Sequence, residues 1–295
     1  MTKKLLFLSL AALVVLAGSC KKQPADSDKY ASVLKQWRIT FEGEDSYSSI
    51  YDYAAEPGCC LRMSDFWKDL PDATYLVDNA WVYPCTSYSV NDGVYHLEIT
   101  VSGDGTPDVR YYEEFSDVTE TTASWKSVYH DSTRDIVEYG KAEVMKKPVK
   151  VMRNPLGYVA FVRLGFVWSY VRTPVSGVKQ FEALSKQKSK WTVLSLDGEG
   201  AESDYEGIEA SGKIISVHHT FPGVGKAETG LTVAKKREIA AKKGAAALIL
   251  LYTYDYSSPM TLDQYNTLPN DDKSIPVAIW GGDKLVNDNY EIIIE

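Results

Sequence analysis

The chain has 295 residues, of which 44% are hydrophobic, so it is long enough for two domains of ordinary size. Its formal charge of −8 argues against nucleic acid as a partner, because phosphates would be repelled. Twenty Tyr and seven Trp are a heavy aromatic load, one that suits β-strands and also suits carbohydrate or peptide surfaces.

At the N-terminus Lys3 and Lys4 precede an apolar run from Leu5 to Ala17, followed by Gly18-Ser19-Cys20. A basic start, a short apolar stretch and small residues before a cut are the parts of a secretory signal. The run is shorter than the ~20 residues that a membrane-spanning helix needs. The Cys directly after the small residues resembles a bacterial lipoprotein signal, with Ala17 standing where Leu is commonest. That resemblance implies a signal peptide over residues 1–19 and a mature chain that begins at Cys20. Its thiol would carry diacylglycerol, and a fatty acid would join the new amino terminus. Several acyl chains give lasting membrane residence, since each buried CH₂ contributes roughly 0.8 kcal/mol. Loss of Lys3 and Lys4 moves the formal charge from −8 to −10. Residues 20–29, which include the polar run KKQPADSDK, read as a flexible tether.

Residues 30–147 carry the pattern of an antiparallel β domain, a sandwich or a small barrel. Trp37, Ile39 and Phe41 alternate with Arg38, Thr40 and Glu42, the period of a half-buried strand. Asn91-Asp92-Gly93 marks a turn, after which Tyr95, Leu97, Ile99 and Val101 fall on one side and His96, Glu98 and Thr100 on the other. Gly103-Asp104-Gly105 marks a further turn, and strands follow over residues 109–115, 123–129 and 135–144. The opening Trp strand and the segments ITVSGDG and EFSDVTETTASW are similar to the lipocalin-like domains of Bacteroidetes-type lipoproteins, with Lys35 in place of the usual Gly. That resemblance implies a barrel able to carry a small apolar ligand.

Residues 52–85 fit the alternating pattern poorly. Pro57-Gly58-Cys59-Cys60 reads as a turn, and residues 63–70 as one or two helical turns before Pro71. With Cys20 lipidated, Cys59, Cys60 and Cys85 remain, an odd number for an oxidising compartment. The expected disulfide joins Cys85 to Cys60 or to Cys59, closing a loop of about 25 residues and stabilising it by roughly 3 kcal/mol. A metal site on the three is disfavoured, because adjacent cysteines do not readily face one tetrahedral ion and no His pair lies nearby.

Residues 148–295 read as a second, α+β domain. Residues 159–171 suggest a buried strand or short hairpin, 181–189 a short helix and 191–196 a strand. An acidic loop follows, with Glu199, Glu202, Asp204 and Glu206; it lacks EF-hand spacing and reads as solvated. GKIISVHH then suggests a strand covered on both faces, KKGAAALILLY a helix end running into a second strand, and SIPVAIWGGDKL a third. Val233, Ala240 and Gly244 share one side of the helix, and Gly244 is expected to end it in the left-handed conformation. The basic run 235–243 reads as the wet face of that helix. This order resembles the protease-associated (PA) domain at Gly212, Lys213, Ile214, Val217, Lys236, Ala240, Gly244, Ala245, Ile275, Pro276 and Val277, with a core over 191–295. The aromatic usual before the helical Lys is Val233 here, and the Gly and Cys that often follow the first strand are missing. The resemblance implies a docking module for a peptide or protein, in which these residues are structural.

The sequence shows no His-Glu-x-x-His, no Gly-x-Ser-x-Gly, no Walker loop and no dinucleotide motif. The adjacent His218 and His219 point to opposite faces of a strand end and are poor co-ligands. No stretch outside the two domains is long enough for a peptidase. The expectation is therefore a non-catalytic binding protein with no cofactor and no metal, lipid-anchored in the cell envelope through Cys20, at the outer membrane. Its PA-like domain would dock a peptide or protein partner; the alternatives are a lipocalin-like carrier of a small apolar ligand and an accessory subunit of a surface nutrient-uptake system.

Overall fold

In a computed structural model the structure describes residues 27–43, 47–78, 81–101, 109–130, 133–164, 167–188, 190–222, 229–252, 259–281 and 291–293. The expected signal peptide, Cys20, most of the tether and the Gly103-Asp104-Gly105 turn lie outside these residues. Among the described residues four α-helices, α1 (Ser27–Tyr30), α2 (Val175–Ser185), α3 (Val233–Lys242) and α4 (Leu262–Asn266), accompany seventeen strands. The first ten strands are β1 (Gln36–Phe41), β2 (Ser48–Asp52), β3 (Cys59–Ser64), β4 (Thr74–Val77), β5 (Val82–Asn91), β6 (Val94–Val101), β7 (Val109–Ser116), β8 (Thr122–His130), β9 (Asp135–Val144) and β10 (Lys150–Arg153). The remainder are β11 (Leu156–Leu164), β12 (Val167–Pro174), β13 (Lys190–Ser195), β14 (Ile214–His218), β15 (Ala247–Tyr252), β16 (Val277–Gly281) and β17 (Glu291–Ile293). The chain forms two compact units, one of Met1–Leu70 with Val77–Arg153, the other of Pro71–Leu76 with Asn154–Glu295.

In the first unit β1-β2-β3-β5-β6-β7-β8-β9 close into an antiparallel barrel, with β9 returning to β1. Strand alternation places Trp37, Ile39, Phe41, Leu97, Ile99, Phe115 and Trp125 in one buried core, each large side chain contributing about 1.5–3 kcal/mol. Gly140 belongs to the inward set; a Cβ there would stand 2.8 Å from the Thr40 carbonyl and 3.3 Å from the Trp125 ring. The β5–β6 hairpin turns through Asp92 and Gly93, both at positive φ, as the Asn-Asp-Gly signal predicts. The N-terminal turn packs Tyr30 and Val33 into the same core, and Trp37 Nε1 donates to the Val33 carbonyl at 2.8 Å.

The expectation for residues 52–85 is overturned, because β3 and β5 are full members of the barrel. Cys60 and Arg62 occupy inward positions of β3, and a charged residue on the inner face hides the alternation. The helical turns before Pro71 are present as a short 3-10 helix at Asp65–Asp69.

The second unit closes a mixed sheet in the order β11-β12-β16-β15-β14-β13-β17, with β13, β14, β15 and β16 parallel. The central strands are apolar on both faces. Ile215, Val217, Leu248, Leu250, Val277 and Ile279 share one core with Val233, Ile239 and Ala240 of α3. Ile214, Ala247, Ile249, Leu251, Ala278 and Trp280 share the other with Phe181 and Leu184 of α2. Gly244 ends α3 at φ 79°, as expected, and a Cβ there would come 3.2 Å from Ser211 Oγ. Helix α2 begins at Val175, six residues before the predicted start, because Pro174 sets the entry while Phe181 and Leu184 bury its apolar face.

The basic run of α3 is not a wholly wet face. Lys235, Lys242 and Lys243 are exposed, whereas Lys236 and Arg237 are buried. Lys236 Nζ donates to the His218 carbonyl at 2.7 Å, and Arg237 donates to the Ile275 carbonyl at 2.7 Å and to Asp271 Oδ1 at 2.9 Å. Their aliphatic stems pack inward while the cations meet oxygens at the ends of neighbouring segments.

Candidate functional site

The feature of the barrel that packing does not explain is a charged pair in its interior. On β7 the inward set is Tyr111, Glu113 and Phe115, so strict alternation carries a carboxylate into the core between Leu97 of β6 and Ser127 of β8. On β3 the register pairs Arg62 with Tyr51, which also faces inward. Arg62 Nη2 lies 2.8 Å from Glu113 Oε1, and Glu113 is 0% exposed. The hydroxyls of Tyr53 and Tyr111 both donate to the same carboxylate. Burial first, then the neighbouring negative charge, push both phenols well above their ordinary pKa, so they stay protonated and remain donors.

The Arg62 guanidinium stands among three rings. Its central carbon is 4.7 Å from the ring centroid of Tyr51, 4.2 Å from that of Tyr83 and 4.6 Å from that of Tyr111. A planar, weakly hydrated guanidinium stacks in such a cage at a lower desolvation cost than a strongly hydrated ammonium. The pair and the two phenols satisfy the carboxylate. Arg62 is left with a buried Nε–H that has no hydrogen-bond partner among the described residues.

The two ends of the barrel differ. One is filled by Tyr30, Val33 and Trp37. Toward the other, the inward positions of β9 are wet: Ile136 is 38% exposed and Glu138 is exposed, its carboxylate 3.3 Å from the buried Ser127 hydroxyl. Tyr47, beside Phe41 at a stacked 4.3 Å, marks the same rim, and burial followed by the Glu138 charge raises its pKa. Arg62 Nε and Glu113 are themselves shielded from solvent, and the wet inward positions are those of β9.

The other expected site residues are placed as follows. Cys20 lies outside the described residues. The disulfide from Cys85 to Cys60 or Cys59 is not formed: Cys60 and Cys85 are both buried free thiols. The register pairs Cys60 with Tyr83, so Cys85 is diagonal to it across the β3–β5 ladder, about 7–8 Å away by strand geometry. A disulfide requires Cα atoms within about 6.8 Å. Burial pushes both thiols up, Cys85 to about 12.

In the second unit His218 ends β14 half-buried, while His219 is buried edge-on to Phe221 at 4.6 Å. Burial, then the Lys236 charge, lowers its pKa to about 4. Asp204 of the acidic loop accepts from the Gly200 and Ala201 amides at 2.9 Å each, closing its own turn. Among the described residues no group of three His, Cys, Asp or Glu side chains is arranged to hold a metal.

Arg62 and Glu113 were missed in the sequence, although the signal was present. The run Tyr111-Tyr112-Glu113-Glu114-Phe115 lies on a strand whose Tyr111 and Phe115 face inward, which forces Glu113 inward with them. Comparison with protein-family models, with curated proteins and with solved structures finds no match to this chain.

Proposed function

We propose that the chain is a lipid-anchored, non-catalytic binding protein of the cell envelope, tethered through Cys20, with the barrel as its ligand-holding unit. The barrel is of the lipocalin-like kind in this reading: eight antiparallel strands, one end filled by an N-terminal turn and a Trp. The observation that carries the reading is the Arg62–Glu113 pair, buried in the barrel and held among tyrosine rings. Replacing a buried ion pair with apolar residues of similar volume is often neutral or stabilising, so folding alone does not require this pair. The pair makes one layer of the interior polar, which favours a ligand with a polar group over a purely apolar one.

The test is native mass spectrometry of the full lipoprotein purified from envelopes. A small molecule that stays bound to the protein and is lost on Arg62→Met supports the reading. Protein that carries nothing in either form counts against it.

The second unit gives a further reading, docking of a peptide or protein partner by a PA-like module. It is favoured by the β14-α3-β15 and β16 arrangement, in which Lys236 and Arg237 fix α3 against the ends of its neighbours. In-cell crosslinking of the full lipoprotein tests it: one dominant envelope protein supports docking or an accessory role in uptake, and background alone weighs against both.

A further inference from the structure

We infer that the barrel takes a neutral small molecule carrying a hydrogen-bond acceptor, such as a ketone, amide or ether oxygen, which meets Arg62 Nε, and that it discriminates against anions. This rests on the reading of the barrel as the ligand-holding unit.

Charge on the inner face sets the class. Among the described residues the inward charged side chains are Arg62, Glu113 and Glu138. Arg62 and Glu113 neutralise one another at 2.8 Å, so the deep layer already balances. A carboxylate or sulfonate ligand would pass the exposed Glu138 and then add an unbalanced negative charge to a desolvated interior. A pure hydrocarbon would fit the rings of Tyr51, Tyr83 and Tyr111 but would seal the Arg62 Nε–H away from any acceptor. A neutral acceptor avoids both penalties.

Glu113 cannot itself supply the missing contact. Its Oε1 takes Arg62 Nη2 and the Tyr111 hydroxyl, and its Oε2 takes the Tyr53 hydroxyl. Ser127, the other inward polar group of that layer, is directed to Glu138. The guanidinium is also held in place by its cage, so its Nε–H has a fixed direction, which is what orientation-specific recognition needs.

The experiment uses the full mature chain and three naphthalene probes: the neutral ketone Prodan, its analogue with propyl in place of propanoyl, which lacks only the carbonyl oxygen, and anionic anilinonaphthalene sulfonate. Each is titrated by fluorescence against the parent protein and against Arg62→Lys, which keeps the charge facing Glu113 but removes Nε–H. Thermal melting confirms that the variant is folded; Lys141→Gln, at an exposed outward position of β9, serves as a second variant that leaves the interior intact.

The expected result is that Prodan binds at least tenfold tighter than either other probe, a difference of about 1.4 kcal/mol. Arg62→Lys should remove that advantage, and Lys141→Gln should keep it. Equal binding of Prodan and its ketone-free analogue, or tightest binding of the sulfonate, overturns the ligand class while leaving the barrel a binding unit. No binding of any probe overturns the class and the binding reading together.

Discussion

Both units bury cations, and they satisfy them differently. In the second unit Lys236, 1% exposed, donates to the His218 carbonyl, and Arg237 divides its donors among the Ile275 and Asp271 carbonyls and the Asp271 carboxylate. These oxygens stand where a strand or loop has run out of ladder partners, so each cation completes the backbone and fastens a segment to α3. In the barrel β3 is already paired on both sides, with β2 and β5, and among the described residues no carbonyl accepts from Arg62. It needs a carboxylate brought in by β7, two phenols and three rings, and still has a donor left over. The contrast separates cations that close off backbone carbonyls from one that pairs with a carboxylate inside a completed ladder.

The largest way to sharpen that contrast is Glu113→Ala, which strands the Arg62 charge in the core. It should destabilise the barrel by about 3–5 kcal/mol in denaturant unfolding. Combining Arg62→Met with Glu113→Leu should return stability to the parent value or above it, because neither charge is then buried alone.

A pH scan probes the second unit. His219 titrates at about 4 in the fold against an ordinary value of 6.5, so the unfolded chain takes up its proton first as pH falls. The stability held by neutral His219 is complete above about pH 6.5 and is lost progressively down to about pH 4, reaching about 3 kcal/mol. His219→Phe should flatten the melting curve over that window; an equally steep curve in the variant would assign the acid sensitivity elsewhere.

Lys236→Met keeps most of the stem but removes the donor to the His218 carbonyl, and should cost about 2 kcal/mol in the same unfolding assay. Unlike Glu113→Ala, it should leave no buried charge and should not be rescued by a second substitution. The smallest expected effect is none: native protein treated with iodoacetamide at neutral pH should keep Cys60 and Cys85 unmodified, since both thiols are buried and raised. Rapid labelling of either would contradict their packing between β3 and β5.

Much of this fold was legible where one period ran without interruption. The alternation Trp37-Ile39-Phe41 and the Asn91-Asp92-Gly93 turn marked the barrel, and the both-faced apolar runs after Gly212 and Gly244 marked the parallel strands. Legibility failed where a polar residue sits on the buried face. Arg62 broke the pattern of β3, and with it the membership of β3 and β5 in the barrel. Lys236 and Arg237 lay hidden in a basic run, because sequence spacing shows which residues share a face but not which carbonyls await them. The cysteine pairing failed for a related reason: closeness in the fold is not register, and the ladder set Cys60 opposite Tyr83.

The most direct test of the central claim is binding by the paired variant Arg62→Met/Glu113→Leu. Parent and variant chains are purified from cells, matched by melting temperature, and compared by native mass spectrometry for a retained small molecule. The account predicts a folded variant of undiminished stability that has lost the ligand held by the parent. Equal retention by both proteins would show that the ion pair is core packing and that any binding site lies elsewhere.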